Sequence, residues 1–242
     1  MLHHLGNLVS TARTVVLTGD PDRVPALAEA AGRILSTWSR RGYVCAEVDV
    51  EGGLGLVCST GIGGPTTAIL VEELGQLGVK QLIRVGTCGS MQRPVRADEL
   101  VISSGAVRDE GTSHQYLPAE FPAVPDFALT AALIAAAETE DITVHIGITH
   151  SKDAYYAERP EDDFPLAEHW RSRWKTLRAA GVLATEMEAA ALFAVASVRK
   201  LRAAAMLVPV DDSTTPDRTL DALRVATRIA FRGAQNTPEK EA

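Results

Sequence analysis

The sequence predicts one α/β domain with a mixed central β-sheet flanked by helices. Short apolar runs that suit buried strands alternate with longer segments whose apolar residues recur at helical spacing, the pattern of strand–helix–strand units. One stretch, 55–85, holds a complete unit of strand, Gly-rich turn, helix and strand. A chain of 242 residues, 46% of them hydrophobic, also suffices for one sizeable core. The domain is read as spanning 1–242, with the charged tail 236–242 expected to fray.

The first strand is the run Thr14-Val15-Val16-Leu17, followed by Gly19-Asp20-Pro21-Asp22-Arg23 and a helical pattern over 22–36. A second strand over 55–59 leads through Gly61-Ile62-Gly63-Gly64-Pro65 into a helix over 65–77, where Ala68, Ile69, Leu70, Leu74 and Leu77 mark the apolar face. Strands over 81–85 and 99–103 come next, the first running into a second Gly-rich turn, Gly86-Thr87-Cys88-Gly89. Helix 127–139, strand 144–149, helix 165–179, strand 181–185, helix 187–199, strand 203–210 and helix 217–233 complete the alternation. The polar, Gly- and Pro-rich stretches 111–125, 157–165 and 212–217 read as the least ordered connections.

The net charge of −7, with no basic stripe, argues against nucleic acid as a partner. The three cysteines, Cys45, Cys58 and Cys88, are odd in number and lack metal-ligand spacing, so a reduced, cytoplasmic protein without a metal site is expected. No apolar run reaches membrane-spanning length, and the start shows no signal core.

Five motifs in order resemble the hexameric-type nucleoside phosphorylases, the group of uridine phosphorylases and small purine nucleoside phosphorylases. They are His3-His4-Leu5-Gly6, Gly19-Asp20-Pro21-Asp22-Arg23-Val24, the two Gly-rich turns, Glu120-Phe121-Pro122-Ala123-Val124, and Glu186-Met187-Glu188-Ala189-Ala190. The resemblance implies a nucleoside phosphorylase-like fold, a nucleoside and inorganic phosphate as small-molecule substrates, no cofactor, and a homo-oligomer, most simply a hexamer built as a trimer of dimers. As the glycosidic bond weakens, the sugar becomes cation-like and the base gathers negative charge. Aligned phosphate oxygens and a proton donor at the base are therefore the main levers.

By this resemblance Gly19, Arg23, Arg84 and Thr87 bind phosphate, through backbone approach, two bidentate charges and a hydroxyl. A further arginine crosses from a neighbouring subunit; counting back from Gly52 places it at Arg41, with Arg40 the close alternative. Glu188 matches the glutamate that accepts from the ribose hydroxyls, Met187 packs on the sugar, Glu186 joins the ribose site, and His4 reaches the 5′-hydroxyl of a neighbour's substrate. Tyr155 matches the aromatic residue that stacks on the base, and Gly89 lines the base pocket.

The base class is read from two departures. Uridine phosphorylases read uracil with a glutamine and an arginine, where this chain offers Glu158 and Arg159. An ionised glutamate accepts hydrogen bonds but does not donate them. Val210-Asp211-Asp212-Ser213 also supplies an acid where purine enzymes protonate N7, at Asp211 or Asp212. The long segment between Tyr155 and Glu186 points instead to the uridine enzymes. Because proton donation is a chemical requirement, the reading leans to purines, with uridine phosphorylase the alternative. A nucleosidase is disfavoured by the paired arginines, a non-catalytic nucleoside-binding protein by the retained arginines and ribose glutamate. A dinucleotide enzyme is disfavoured because no Gly-x-Gly-x-x-Gly follows the first strand.

Overall fold

The structure, a computed structural model, describes residues 2–92, 95, 99–158, 160–211 and 213–238. Its nine strands are β1 (Thr14–Thr18), β2 (Arg33–Arg40), β3 (Tyr43–Val50), β4 (Gly53–Ser59), β5 (Gln81–Ser90), β6 (Leu100–Asp109), β7 (Val144–Lys152), β8 (Ala184–Glu186) and β9 (Arg202–Val210). Seven α-helices join them: α1 (Val24–Ala31), α2 (Gly64–Gln76), α3 (Thr112–Tyr116), α4 (Phe127–Glu138), α5 (Ala167–Ala179), α6 (Ala189–Arg199) and α7 (Pro216–Gln235). The strands form one mixed sheet in the order β2-β3-β4-β1-β5-β8-β7-β6-β9, and β9 also pairs along β5, so that five strands close into a ring. The expected α/β class and flanked mixed sheet are present. None of the helices in the described residues is long and apolar enough to cross a membrane.

Strand alternation divides the core. Along β1, Val15 and Leu17 face a cluster containing Leu70 and Leu74 of α2 and Leu192 and Val195 of α6. Val16, between them, faces the opposite cluster, where Leu27, Leu133 and Ile229 come from α1, α4 and α7. All of these side chains are buried. β1 runs parallel to β4 and β5, so Thr18, Ser59 and Arg84 come to one edge of the sheet, where open α/β sheets gather ligands.

Three expectations need correction. The helix read over 22–36 ends at Ala31, and Arg33–Ser36 belong to β2. A Cβ on Gly32 would lie 2.2 Å from the carbonyl oxygen of Asp49, so the chain turns there to pass close beside β3. β2 and β3 form a hairpin about Arg41-Gly42, both at positive φ (53° and 85°), a tight-turn signal that helical reading of the preceding alanines obscured. The second Gly-rich turn is not a turn: Gly86 through Ser90 lie inside β5, paired with β9 and β8. Finally, the connection 111–125 contains α3, and the Arg108 guanidinium ties the segment down by donating to the carbonyls of Ser113, Leu117, Pro118 and Phe121.

Candidate active site

At the ligand edge of the sheet, one arginine is held between two glutamates. Arg84 rises from β5, and its guanidinium folds back over Gly86, where an added Cβ would come within 2.8–2.9 Å of three of its atoms. The glycine in Arg84-Val85-Gly86 thus makes room for the charge that precedes it. Arg84 Nε donates to Glu186 Oε2 at 3.0 Å, and Nη2 is ion-paired with Glu188. Burial opposes its charge, but the carboxylates of Glu188 and Glu186 outweigh that and hold its pKa above the ordinary arginine value. Nη1 is buried and has no hydrogen-bond partner among the described residues.

The two glutamates have different jobs. Glu186 ends β8 with no exposed side-chain surface. Its Oε2 also accepts the backbone N–H groups of Glu188 (2.7 Å) and Ala189 (2.8 Å), and Oε1 accepts from Ser151 Oγ. Ser151 Oγ in turn accepts the N–H of Ala190 at 2.9 Å. Glu186 and Ser151 therefore satisfy the open N-terminus of α6 from outside the helix. Glu186 was expected to join the ribose site; in the structure its oxygens are committed to Arg84, Ser151 and the helix N-terminus. Ser151 was missed because a lone serine in Thr149-His150-Ser151 gives no periodic or motif signal.

Glu188 starts α6, and its Oε1 accepts from the Gly63 N–H at 2.6 Å. Gly63 sits at φ 88°, a conformation that favours glycine and turns this N–H toward the carboxylate. Burial pushes the Glu188 pKa up, Arg84 pulls it down and Glu186 pushes it up again; the net direction is upward. Met187, between the two acids, stays partly exposed.

Gly19 follows β1 and lies beside the first Gly-rich turn, with the Gly61 carbonyl 3.6 Å from where a Cβ would stand. Arg23, on the 3₁₀ turn Pro21–Arg23, pairs with Asp20 at 3.4 Å and keeps 29% of its side chain exposed. Thr87 lies partly exposed on β5. Arg41 is exposed at the tip of the β2–β3 hairpin, and the sheet order puts β3, β4 and β1 between its edge strand and β5. Arg40 packs instead against Gly6 of its own chain. His4 is held on α2, its Nδ1 2.9 Å from Glu73 Oε1, while Glu73 also accepts the N–H groups of His4 and Leu5.

Among the residues expected to meet the base, Gly89 pairs with Thr185, whose methyl would lie 3.2 Å from an added Cβ. Lys152, at the end of β7, donates to Thr185 Oγ1 at 3.1 Å, is ion-paired with Glu158, and sits 5.5 Å from the Tyr155 ring centre. Tyr155 is 63% exposed. Beside this group a cavity of about 380 Å³ opens between the end of β6 and α5, lined by His150, Asp109, Arg173 and Trp174 among others. Asp109 accepts from Arg173 at 2.6 and 2.8 Å and lies 2.9 Å from His150 Nε2. Burial raises its pKa, yet the hydrogen bonds from His150 and Arg173 dominate and bring it down to about 2. Sequence reading missed this network because its members are separated by tens of residues and meet only through strand pairing and helix packing.

Asp211 does not fit the proton-donor role. Its Oδ1 accepts from the Ser213 N–H (2.9 Å), Ser213 Oγ (2.7 Å) and Thr214 Oγ1 (2.9 Å), an Asx-type turn at the surface. The Ser213 and Thr214 side chains lower its pKa, the direction opposite to that of a general acid. Asp212 and Arg159 lie outside the described residues.

The family model described as the phosphorylase superfamily matches residues 13–233. A uridine phosphorylase of Treponema pallidum is 40% identical over 229 residues, covering 92% of this chain and 87% of its own. A uridine phosphorylase of Thermococcus kodakarensis is 42% identical, covering 79% of this chain and 70% of its own. A guanosine phosphorylase of Halorubrum lacusprofundi is 38% identical, covering 79% and 75%. The chain belongs to the nucleoside phosphorylase family of the phosphorylase superfamily.

Proposed function

We propose that this nucleoside phosphorylase binds inorganic phosphate against Arg84 and cleaves uridine-type nucleosides, releasing the free base and ribose 1-phosphate. The observation that carries the reading is Arg84 Nη1, a buried donor of a charged group with no hydrogen-bond partner among the described residues, at the ligand edge of the sheet. An anion is the natural acceptor for it. Gly19, Arg23 and Thr87 complete the phosphate site in this reading, Glu188 and Met187 bind the ribose, and Tyr155 and Gly89 line the base. A phosphate oxygen then bonds to C1′ as the C1′–N bond breaks, and the electron pair of that bond leaves with the base.

The lean to purines is weakened. Of the two acids it rested on, Asp211 caps a surface turn and Asp212 lies outside the described residues. The length argument and the uridine phosphorylases among the relatives favour the uridine reading. The guanosine phosphorylase keeps purines with a carbonyl at the base edge as a second reading. The same proposal makes the active unit an oligomer, most simply a hexamer, because His4 and Arg41 serve a site only when a neighbour brings them. It places the enzyme in the cytoplasm, in keeping with three free, buried thiols.

The test is uridine cleavage with and without phosphate. Base release is expected to require phosphate and to yield ribose 1-phosphate; full turnover to free ribose in phosphate-free buffer would overturn the reading in favour of hydrolysis. Arg84→Ala is expected to lower kcat/KM by about 2–4 kcal/mol of transition-state stabilisation, with folding checked by circular dichroism because two buried acids lose their cation.

A further inference from the structure

We infer that Ser151 is a positioning residue for phosphate: it holds the carboxylate of Glu186 in the one orientation that presents Arg84 Nη1 to the anion. The inference rests on the phosphorylase reading above and adds the residue that sets how Arg84 meets its substrate.

Strand register makes the contact. β7 and β8 run parallel, and Ser151 stands opposite Glu186 as His150 stands opposite Thr185. Successive residues of a strand point to opposite faces, so within His150-Ser151-Lys152 only Ser151 shares the face of Glu186. Ser151 and the Glu186 side chain are both fully buried. The serine hydroxyl has a single proton, and its direction is determined. Oγ accepts the N–H of Ala190 at 2.9 Å, so the proton goes to Glu186 Oε1. Among the described residues Oε1 has no other donor, whereas Oε2 takes Arg84 Nε at 3.0 Å and the N–H groups of Glu188 and Ala189.

Two planar groups transmit the hold. A carboxylate fixed at both oxygens does not turn about its own axis, and a guanidinium is a rigid fork. Arg84 is held at Nε by Glu186 and at Nη2 by Glu188. With two of the three nitrogens fixed, the direction of Nη1, the buried donor with no partner among the described residues, is fixed as well. Without the Ser151 hydroxyl, Oε1 becomes a buried carboxylate oxygen with no donor, and the Ala190 N–H beside it a donor with no acceptor. Both unmet groups carry a desolvation cost. Turning the carboxylate toward Ala190 satisfies both and draws Oε2 away from Arg84 Nε. The fork then swings on Glu188 alone, and the aim of Nη1 is lost. Phosphate affinity is what the hydroxyl protects.

The experiment varies phosphate at saturating uridine or inosine, whichever the wild type cleaves faster. The proteins are the wild type, Ser151→Ala, Ser151→Thr, Glu186→Gln, Arg84→Ala and the double variant Ser151→Ala with Arg84→Ala, assayed at high enzyme concentration. Ser151→Ala is expected to raise the KM for phosphate at least about tenfold, as loss of a hydrogen bond to a buried charge does. Ser151→Thr, which returns the hydroxyl, is expected to bring it back to within about threefold of wild type. In the Arg84→Ala background, removing Ser151 is expected to change kcat/KM by less than about twofold, because the nitrogen it aims is gone. A merely structural role lowers kcat/KM by the same factor with or without Arg84, which overturns the inference, as does an unchanged phosphate KM in Ser151→Ala. Glu186→Gln keeps the shape of the junction and removes the charge that anchors Arg84 Nε, so its phosphate KM is expected to rise by a similar factor. Should Ser151→Ala fold poorly, an unchanged phosphate KM in Glu186→Gln overturns the inference instead. A wild type whose cleavage does not respond to phosphate overturns the phosphorylase reading and the inference with it, whereas a phosphate-dependent wild type with an unaffected Ser151→Ala overturns the inference alone.

Discussion

The same chemical type does opposite work at Glu186 and Glu188, two residues apart. Glu186 is spent on a helix end and an arginine, whereas Glu188 is a buried acid whose pKa burial has raised. If Glu188 must be ionised to accept from ribose hydroxyls, nucleoside affinity should fall on acidification at a pH above the usual carboxylate range. Measuring nucleoside binding without phosphate, for instance by Trp170 or Trp174 fluorescence, keeps the titration of phosphate itself out of the result. The acidic loss of binding should be absent from Glu188→Gln, which binds weakly at every pH. Asp211 gives the converse expectation. Its carboxylate closes an exposed turn, so Asp211→Asn should leave kcat/KM for uridine and inosine within about threefold of wild type, far from the 10²–10⁴-fold loss of a general acid. The sequence could name both acids but not tell them apart, because burial and partners are properties of the folded chain.

At the scale of elements, the legible parts were those with a local pattern. The strand–Gly-rich turn–helix unit through β4 and α2, and the amphipathic helices, follow from periodicity alone. The hairpin β2–β3 was hidden because Ala26–Ala31 continues a helical pattern up to Gly32, and what stops the helix is the backbone of β3, 17 residues later in the chain. Gly86 and Gly89 read as a turn because glycine signals turns, yet in β5 they serve close approach by Arg84 and Thr185. The Asp109 network joins β6, β7 and α5, and no window of sequence contains it. Its contribution to stability has a defined pH range. The Asp109 pKa of about 2 in the fold lies below its ordinary 3.8. Its stabilisation is therefore fully present above about pH 4 and is lost as pH falls toward about 2. Thermal melts between these limits should show a shallower pH dependence for Asp109→Asn than for wild type, alongside a lower melting temperature at neutral pH. Equal slopes would mean that the Arg173 and His150 contacts contribute nothing to folding.

At the scale of the whole molecule, one chain brings together Arg84, Glu186, Glu188 and the Lys152–Glu158 pair, but leaves Arg41 at the tip of an edge hairpin and His4 anchored on α2. Glu73 holds His4 through Nδ1 and through the backbone, which fixes the orientation of the ring. Such placement suits groups presented to a neighbour. In a symmetric dimer, each site would take Arg84 from one subunit and Arg41 from the other. That geometry makes a quantitative prediction. Arg41→Ala and Arg84→Ala proteins should each be nearly inactive as pure oligomers. When they are unfolded together and refolded as a mixture, half of the dimers pair one of each, and one of the two sites in every such dimer recovers both arginines. The mixture should then regain about a quarter of wild-type activity, as expected for random pairing across a two-fold interface. Activity in Arg41→Ala alone, or a mixture no more active than its components, would show that Arg41 does not reach a neighbour's phosphate. Sedimentation of the mixture confirms that pairing occurred, so that a failure to recover activity reports on the site and not on assembly.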